Sequence, residues 1–191
     1  LNTLKEKDHY TYGHSLRVTE YALIIGQALG FSPDKLRLLE LSGLMHDIGK
    51  VGVSDKVLKK PEKLTAIEYN DMKTHVLRGV RILTPFYSLL EVIEGVKSHH
   101  ERIDGYGYPE GLKDMEIPLF ARIILVADTF DAMTSTRPYR IGLSDEIAYA
   151  ELVRCAGTQF DAELVPLYID NHQKRKKEDK EESRYLKVVN Y

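Results

Sequence analysis

The stretch Leu44-Met45-His46-Asp47-Ile48-Gly49-Lys50 places an imidazole, a carboxylate and an ammonium close together in an otherwise apolar or glycine sequence. His46 and Asp47 are neighbours near a predicted helix end, where successive side chains point about 100° apart, so both can face one cavity between helices. Burying a charged carboxylate is costly unless it is compensated. A divalent cation compensates it well, because it binds imidazole nitrogen and carboxylate oxygen together. The stretch therefore indicates a metal site, and a helix end with a solvated His-Asp pair is the alternative.

The sequence on either side of this stretch has the periodicity of helices. Apolar residues recur at intervals of three and four, Ser32-Pro33 and Ser144 are predicted to begin helices, and Thr65 to Glu68 has the form of a capping box. The pattern predicts helices over approximately residues 11–29, 33–46, 65–80, 87–100, 119–133, 144–153 and 161–172. No stretch alternates as strands do, so the predicted fold is all-α, a bundle of about seven helices.

Composition bounds the class of protein. The chain has 191 residues, a formal net charge of −2, 43% hydrophobic residues and 29% charged residues, as a globular domain does. This charge gives no general attraction to DNA, and we find no segment that would span a membrane. The single cysteine, Cys155, excludes an internal disulfide and fits a cytoplasmic protein. We expect a linker or the end of an upstream helix at residues 1–8, one domain at 9–172 and a charged tail at 173–191; because the chain begins at Leu1, we also expect a fragment.

Candidate metal ligands are scattered over the predicted helices. Five of the seven histidines and two aspartates lie on or beside predicted inward faces: His14, His46, His75, His99, His100, Asp47 and Asp128. Without sulfur donors, the set suits iron, manganese, zinc, nickel or magnesium and not copper(I). Seven donors exceed the needs of one tetrahedral ion, so we expect two ions with one carboxylate between them. Asp131, one turn after Asp128, is predicted either to orient a ligand imidazole or to lie on the surface.

A second signal follows the fourth predicted helix. The sequence His99-His100-Glu101-Arg102-Ile103-Asp104-Gly105-Tyr106-Gly107-Tyr108-Pro109 joins two histidines to a glycine-rich turn that carries tyrosines. Such a segment can form the wall of a pocket, and a surface loop with aromatic packing is the alternative.

Taken together, these motifs resemble the HD-GYP family of the HD metal-dependent phosphohydrolases. The resemblance extends from about Asp8 to Ile169 and includes the stretches at residues 10–18, 60–65, 117–123, 127–132, 137–139 and 157–161. It implies an HD-domain-like helical bundle with a metal site in its core.

The resemblance also implies roles for individual residues. One metal would be held by His14, His46, Asp47 and Asp128, and a second by His75, His99 and His100, with Asp47 bridging the two. Some members hold a third ion with a Glu at the position of Tyr10, so two divalent ions are expected here. Iron or manganese is expected first, with magnesium, nickel or zinc as alternatives. Lys50 would contact substrate or donate a proton, Asp47 and Lys50 would be catalytic, and Tyr108, Arg137 and Arg140 would bind substrate.

The activity that the resemblance implies is hydrolysis of the bacterial second messenger cyclic di-GMP to the linear dinucleotide pGpG, with further cleavage to GMP left open. Implied partners are an N-terminal sensor or receiver domain in the full-length protein and a GGDEF-type protein at the loop Asp104–Pro109. Two alternatives stay open at this point. One is a phosphohydrolase of another cyclic or polyphosphorylated nucleotide, and the other is a non-catalytic domain that binds cyclic di-GMP or a partner protein.

Overall fold

A computed structural model of the chain describes residues 9–136 and 141–189. The predicted linker at residues 1–8, the side chain of Tyr10, and the predicted phosphate ligands Arg137 and Arg140 lie outside the described part. The α-helices are α1 His9–Ala28, α2 Pro33–Met45, α3 Asp55–Leu58, α4 Ala66–Lys73, α5 His75–Leu83, α6 Leu90–Ser98, α7 Leu119–Thr134, α8 Asp145–Arg154 and α9 Leu164–Val189. Short 3₁₀ helices span Ile48–Gly52, Tyr87–Leu89 and Asp114–Glu116. Over the described residues the structure is helical and contains no strand, which confirms the all-α prediction.

The predicted third helix is divided at Thr74, and this is the main difference from the expected helices. The Thr74 hydroxyl donates to the Asp71 carbonyl oxygen at 2.6 Å, a local bond that competes with helix continuation. An ion pair of 2.9 Å between Asp71 and Arg78 then spans the break. As a result His75 begins a new helix, α5, instead of lying in the middle of a longer one.

Two other boundaries differ from the prediction. The segment before α6 is a 3₁₀ turn, so that helix begins at Leu90 rather than near Tyr87. Helix α9 continues to Val189, past the predicted helix end near residue 172. The capping box at Thr65 and the serine caps at Ser32 and Ser144 are present as predicted.

The main hydrophobic core surrounds α7, which is buried on most sides. It joins side chains of α1, α2, α7, α8 and α9, including Ile25, Leu39, Ile124, Leu152 and Tyr168. A second, smaller cluster of Ile48, Leu83, Val92 and Val96 holds the 3₁₀ segment against α5 and α6. The candidate metal ligands therefore come from helices that are fixed by separate apolar contacts.

Gly49 allows the 3₁₀ segment to approach α5 closely. A Cβ atom at this position would lie 1.8 Å from the His75 carbonyl oxygen and 2.5 Å from the Gly79 nitrogen. Backbone atoms cannot move away as flexible side chains do, so any larger residue would separate the two elements. The glycine in the opening motif thus brings Asp47 and His75 together.

Within the two described ranges, no helix combines the length and the apolar character that a membrane crossing requires.

Candidate metal centre

Three of the central histidines are held in the same way. In each, Nδ1 lies within hydrogen-bond distance of the backbone carbonyl oxygen three residues earlier. The distances are 2.6 Å from His46 to Gly43, 2.7 Å from His75 to Met72 and 2.8 Å from His99 to Val96. A carbonyl oxygen only accepts, so Nδ1 carries the proton and Nε2 of the neutral ring presents a lone pair. All three rings are buried. The backbone therefore sets both the tautomer and the direction of these imidazoles, as is typical of metal-binding histidines.

His14 is held by a side chain instead. Its Nδ1 lies 2.7 Å from Oδ2 of Asp131, and its Nε2 lies 3.0 Å from Oδ1 of Asp128. Asp131 also accepts hydrogen bonds from Arg17 at 2.6 and 3.1 Å and from the Ser135 hydroxyl at 2.9 Å. The Asp131 side chain is fully buried, so the surface alternative for this residue is wrong and the orienting contact to His14 is present.

Arg17 has a structural role that the sequence analysis did not assign. It lies three residues after His14, on the same face of α1, and this spacing was a usable signal for a shared partner.

Asp47 lies at the middle of the histidine cluster. Its Oδ1 is 3.3 Å from His75 Nε2, and its Oδ2 is 3.4 Å from His46 Nε2 and 3.8 Å from His14 Nε2. Nε2 of His75 is also only 3.4 Å from Nε2 of His99. Because Nδ1 carries the proton in His46, His75 and His99, lone pairs here face other lone pairs and a carboxylate.

This arrangement fits a metal site. Among the described side chains, His46 Nε2 and Asp47 Oδ1 are buried atoms that have no hydrogen-bond partner. Buried polar atoms rarely remain unpaired, because the loss of solvation is not repaid. Cations placed between these nitrogen and oxygen atoms would satisfy them, and nitrogen and oxygen donors suit divalent transition metals.

The donors form three overlapping groups, in each of which the ligand atoms lie within 4.8 Å of one another. They are His75 with His99 and His100, His14 with His46 and Asp128, and His46 with Asp47 and His99. The structure thus brings together all seven metal ligands that the sequence predicted. Two groups share no residue, and Asp47 contacts a histidine of each.

The charge states of Asp47, His99 and His100 suit cation binding, whereas His14 would release a proton on binding a metal. Burial raises the pKa of Asp47, but the positive charge of Lys50 and the nearby histidines outweigh it and hold that pKa well below its usual range. Burial lowers the pKa of His100 to about 3 and holds that of His99 well below its usual range. For His14, burial lowers the pKa, but hydrogen bonds to Asp128 and Asp131 outweigh it and raise the pKa to about 9. Asp47 is therefore ionised while His99 and His100 are neutral, which are the forms that bind metals.

Two predicted substrate residues border the cluster. Lys50 Nζ lies 2.5 Å from Asp47 Oδ2, at the end of the opening motif. The Tyr108 ring stacks on His100 with centroids 4.7 Å apart, and the Tyr108 backbone nitrogen donates to the His100 carbonyl oxygen at 3.1 Å. The glycine-rich segment is therefore folded against the centre, and Tyr108 packs inside it.

Gly107 permits this approach. A Cβ atom there would lie 2.4 Å from the Arg102 nitrogen and 2.6 Å from the His100 carbonyl oxygen. A residue with a side chain would therefore collide with the backbone here, so the position requires glycine for space and not only for the turn.

Glu101 holds the loop in place, a role that the sequence analysis missed. Its side chain is 1% exposed and accepts hydrogen bonds from three successive backbone nitrogens, Glu110 at 2.6 Å, Gly111 at 3.1 Å and Leu112 at 3.1 Å. The available signal was an acidic residue placed directly between the histidine pair and a glycine-rich segment.

Known proteins resemble this chain in sequence. The family model for the HD domain matches residues 2–164. Over 189 residues the chain is 38% identical to a cyclic di-GMP phosphodiesterase of Thermotoga maritima, covering 94% of this chain and 51% of that protein. Over 160 residues it is 39% identical to the 3′3′-cGAMP-specific phosphodiesterase 3 of Vibrio cholerae, covering 82% of this chain and 34% of that protein.

A solved structure shares the architecture. The crystal structure of a cyclic GMP-AMP specific phosphodiesterase of V. cholerae superposes with a TM-score of 0.65 at 25% identity, covering 84% of this chain and 44% of that one. The chain thus spans about half or less of the length of these relatives.

Proposed function

Because this chain belongs to the HD domain family, as its motifs predicted, we propose that it is a metal-dependent phosphodiesterase that hydrolyses cyclic di-GMP to linear pGpG. The observation that carries the proposal is the pair of donor groups that both contact Asp47, with the buried atoms His46 Nε2 and Asp47 Oδ1 lacking a hydrogen-bond partner among the described residues. A site of this kind on a fold of this family supports phosphodiester hydrolysis better than it supports a structural role.

We assign one divalent ion to His14, His46 and Asp128, and a second to His75, His99 and His100, with Asp47 shared between them. This division follows the two separate donor groups and the contacts of Asp47 with both. When bound, such ions supply Lewis acidity and lower the pKa of water to near neutrality. The purely nitrogen and oxygen donor set favours iron or manganese, with magnesium, nickel or zinc as alternatives.

Lys50 is assigned to the reacting phosphate. Its ammonium already lies against the Asp47 carboxylate at 2.5 Å, so a phosphate bound beside Asp47 would be within its reach. In the reaction, water adds to phosphorus, the bond from phosphorus to the 3′ oxygen breaks, and that oxygen takes up a proton. We assign delivery of this proton to Lys50. Asp131 and Arg17 act earlier, because they fix the direction of His14.

Three further residues are assigned to substrate binding. Tyr108 offers its ring edge and hydroxyl beside His100, since its ring face is stacked on that imidazole. Arg137 and Arg140 remain proposed phosphate ligands on the strength of the sequence alone, as both lie outside the described residues.

A second substrate is favoured by one observation. A relative that is 39% identical to this chain bears the name of a 3′3′-cGAMP-specific enzyme, and metals recognise phosphate and not base. We therefore propose 3′3′-cGAMP as the alternative substrate of the same site.

The test is a substrate panel with defined metals. Protein purified without oxygen is analysed for metal content and then incubated with cyclic di-GMP, 3′3′-cGAMP and cyclic di-AMP in the presence of ferrous iron or manganese. We expect about two ions per chain and a linear dinucleotide product from cyclic di-GMP, identified by mass spectrometry. Tight binding of cyclic di-GMP without turnover under every metal condition would instead establish a non-catalytic binding domain.

Two partner predictions remain predictions. They are a sensor or receiver domain before this segment in the full-length protein, and a GGDEF-type protein at the loop Asp104–Pro109. Tyr106 is 86% exposed and would be the first residue of that loop to examine by mutation.

A further inference from the structure

A lysine on the border of the metal centre has no anionic partner among the described side chains. Lys73 is the last residue of α4 and lies two positions before His75. Its Nζ is 5.2 Å from the ring centroid of Tyr69 and 5.9 Å from that of Tyr108. Across residues 9–136 and 141–189, no carboxylate lies within ion-pair distance of this ammonium. By contrast, Lys50, Lys60 and Lys97 pair with Asp47, Glu68 and Glu110, respectively.

The aromatic contacts connect this lysine to the centre. Tyr108 stacks on His100 at 4.7 Å and approaches Lys73 with the same ring, so Lys73 lies one ring beyond the imidazole. Tyr69 is 49% exposed, so the ammonium is held near the surface. An ammonium against aromatic rings is partly dehydrated, which makes it available to an anion.

The break in the predicted third helix lies between this lysine and His75. Because α4 ends at Lys73 and α5 begins at His75, the backbone turns between the two residues. The imidazole of His75 points into the centre, with its Nε2 3.3 Å from Asp47 Oδ1, while the ammonium of Lys73 is directed to the tyrosines.

We propose that Lys73 is a substrate-binding residue whose ammonium binds the phosphate that is not being cleaved in a substrate with two phosphates. Tyr69 and Tyr108 hold the ammonium at that position. The inference rests on the proposed function. The scissile phosphate belongs beside Asp47 and Lys50, whereas the Tyr108 ring separates Lys73 from His100. A cyclic dinucleotide carries its two phosphates on opposite sides of a ring, so the second phosphate requires a cation away from the metals.

The test compares Lys73→Met, Lys73→Arg and the control Lys56→Met, which removes an exposed lysine of α3, on two substrates. Cyclic di-GMP has two phosphates, and bis(p-nitrophenyl) phosphate has only the scissile one. We expect Lys73→Met to raise KM for cyclic di-GMP about tenfold, the effect of one hydrogen bond to a charged group. kcat should stay within about twofold, KM for the small diester should not change, and Lys73→Arg should recover most of the loss.

A binding measurement keeps the inference testable without turnover. Equilibrium dialysis of labelled cyclic di-GMP against chelator-treated protein should show binding about tenfold weaker for Lys73→Met than for Lys56→Met. Unchanged KM and unchanged binding would overturn the proposal. So would equal losses on both substrates, or a lowered melting temperature with no rescue by arginine, since these indicate a general structural role. Failure of the proposed function itself is recognised separately, because the wild-type protein would then cleave no cyclic dinucleotide.

Discussion

Asp47 and Glu101 are two carboxylates that lie two and three residues past the ends of α2 and α6 and have the same burial. Each directly follows a histidine just past the end of a helix, and each is 1% exposed. Glu101 accepts three backbone hydrogen bonds, one from each of Glu110, Gly111 and Leu112. Asp47 has one oxygen against Lys50 and another that faces the Nε2 lone pair of His75 without a hydrogen bond.

The hydrogen-bond partners of the two carboxylates differ: those of Glu101 suit a structural role, and those of Asp47 leave it available to a metal. Buried carboxylates must be compensated, and backbone N–H groups compensate Glu101 fully. At Asp47 the compensation within the chain is incomplete, and the remaining partners are nitrogen atoms that also need a cation. Both side chains carry a carboxylate and the burial is the same, so the contacts distinguish them.

Removal of the charge at Asp47 is the strongest test of this difference. In Asp47→Asn the side chain keeps its size, and its amide can donate to an imidazole lone pair, so we expect the fold to remain. Turnover should fall by more than the roughly 100-fold that is typical when a residue outside the ligand shell is lost. Metal content, measured by mass spectrometry, should fall at both positions.

Asp170→Asn, an exposed substitution on α9, is the matched control and should behave as wild type. Full metal content in Asp47→Asn would show that Asp47 is not shared between two ions.

Asp131 is intermediate between the two carboxylates, because it is fully partnered but one partner is a candidate ligand. Asp131→Asn places an amide N–H₂ among donors, namely His14 Nδ1, Arg17 and the Ser135 hydroxyl. We expect the affinity for the metal at His14 to fall by about 10- to 100-fold, as is usual for residues that orient a ligand. Competition with a chromogenic chelator measures this.

Arg17→Gln is the comparison for Asp131, since it leaves the bond between His14 and Asp131 intact. It should lose less affinity than Asp131→Asn. An equal loss in both variants would mean that the charge of Arg17, and not the direction of His14, controls the site.

The sequence was sufficient to predict the helical class and the side chains that converge in one cluster. The five histidines of this cluster come from four parts of the chain: His14 from α1, His46 from the end of α2, His75 from α5, and His99 and His100 from the end of α6. Convergence on metals is one of few ways to satisfy so many nitrogen donors. Helix periodicity located the long elements, because α1, α2 and α7 are packed on regular apolar faces.

Other features depend on contacts that no local pattern contains. The break at Thr74 requires a hydroxyl bond to Asp71 and an ion pair to Arg78 together. The role of Glu101 requires knowledge of how the loop returns to it ten residues later, and the burial of Asp131 requires the position of α1. In each case the deciding partner is set by tertiary structure, whereas the residue itself is readily found in the sequence.

Glu101→Gln tests the fully partnered region. The amide accepts through only one oxygen, so at least one backbone N–H among residues 110–112 would face another donor. We expect the free energy of unfolding to fall by about 1–3 kcal/mol, the usual cost of leaving a buried donor unpaired. Urea unfolding measures this, and limited proteolysis should find faster cleavage in the loop.

Glu110→Gln is the control for the loop, because Glu110 is exposed and its side chain forms an ion pair with Lys97 at 2.8 Å. It should unfold as wild type does. If Glu101→Gln is as stable as this control, the backbone bonds to Glu101 contribute little and the contrast with Asp47 disappears.

The smallest expected effect concerns a buried histidine, His172, rather than a carboxylate. His172 lies away from the metal centre, hydrogen-bonds through Nδ1 to the Tyr149 hydroxyl at 2.7 Å, and stacks on Tyr168. Burial lowers its pKa. Below about pH 6.5 the unfolded chain takes up a proton at His172 that the folded protein does not. The free energy of unfolding therefore falls as the pH falls, by at most about 1.4 kcal/mol per pH unit.

Above that pH the contribution is constant. His172→Phe keeps the aromatic packing, so the difference in unfolding free energy between variant and wild type should change between pH 7 and pH 5.5 in favour of the variant. Urea titrations at the two pH values measure this, and His172 should show it whether or not metal is bound. A pH-independent difference would mean that the pKa of His172 is the same in the folded and unfolded protein, so that burial beside a neutral partner does not lower it.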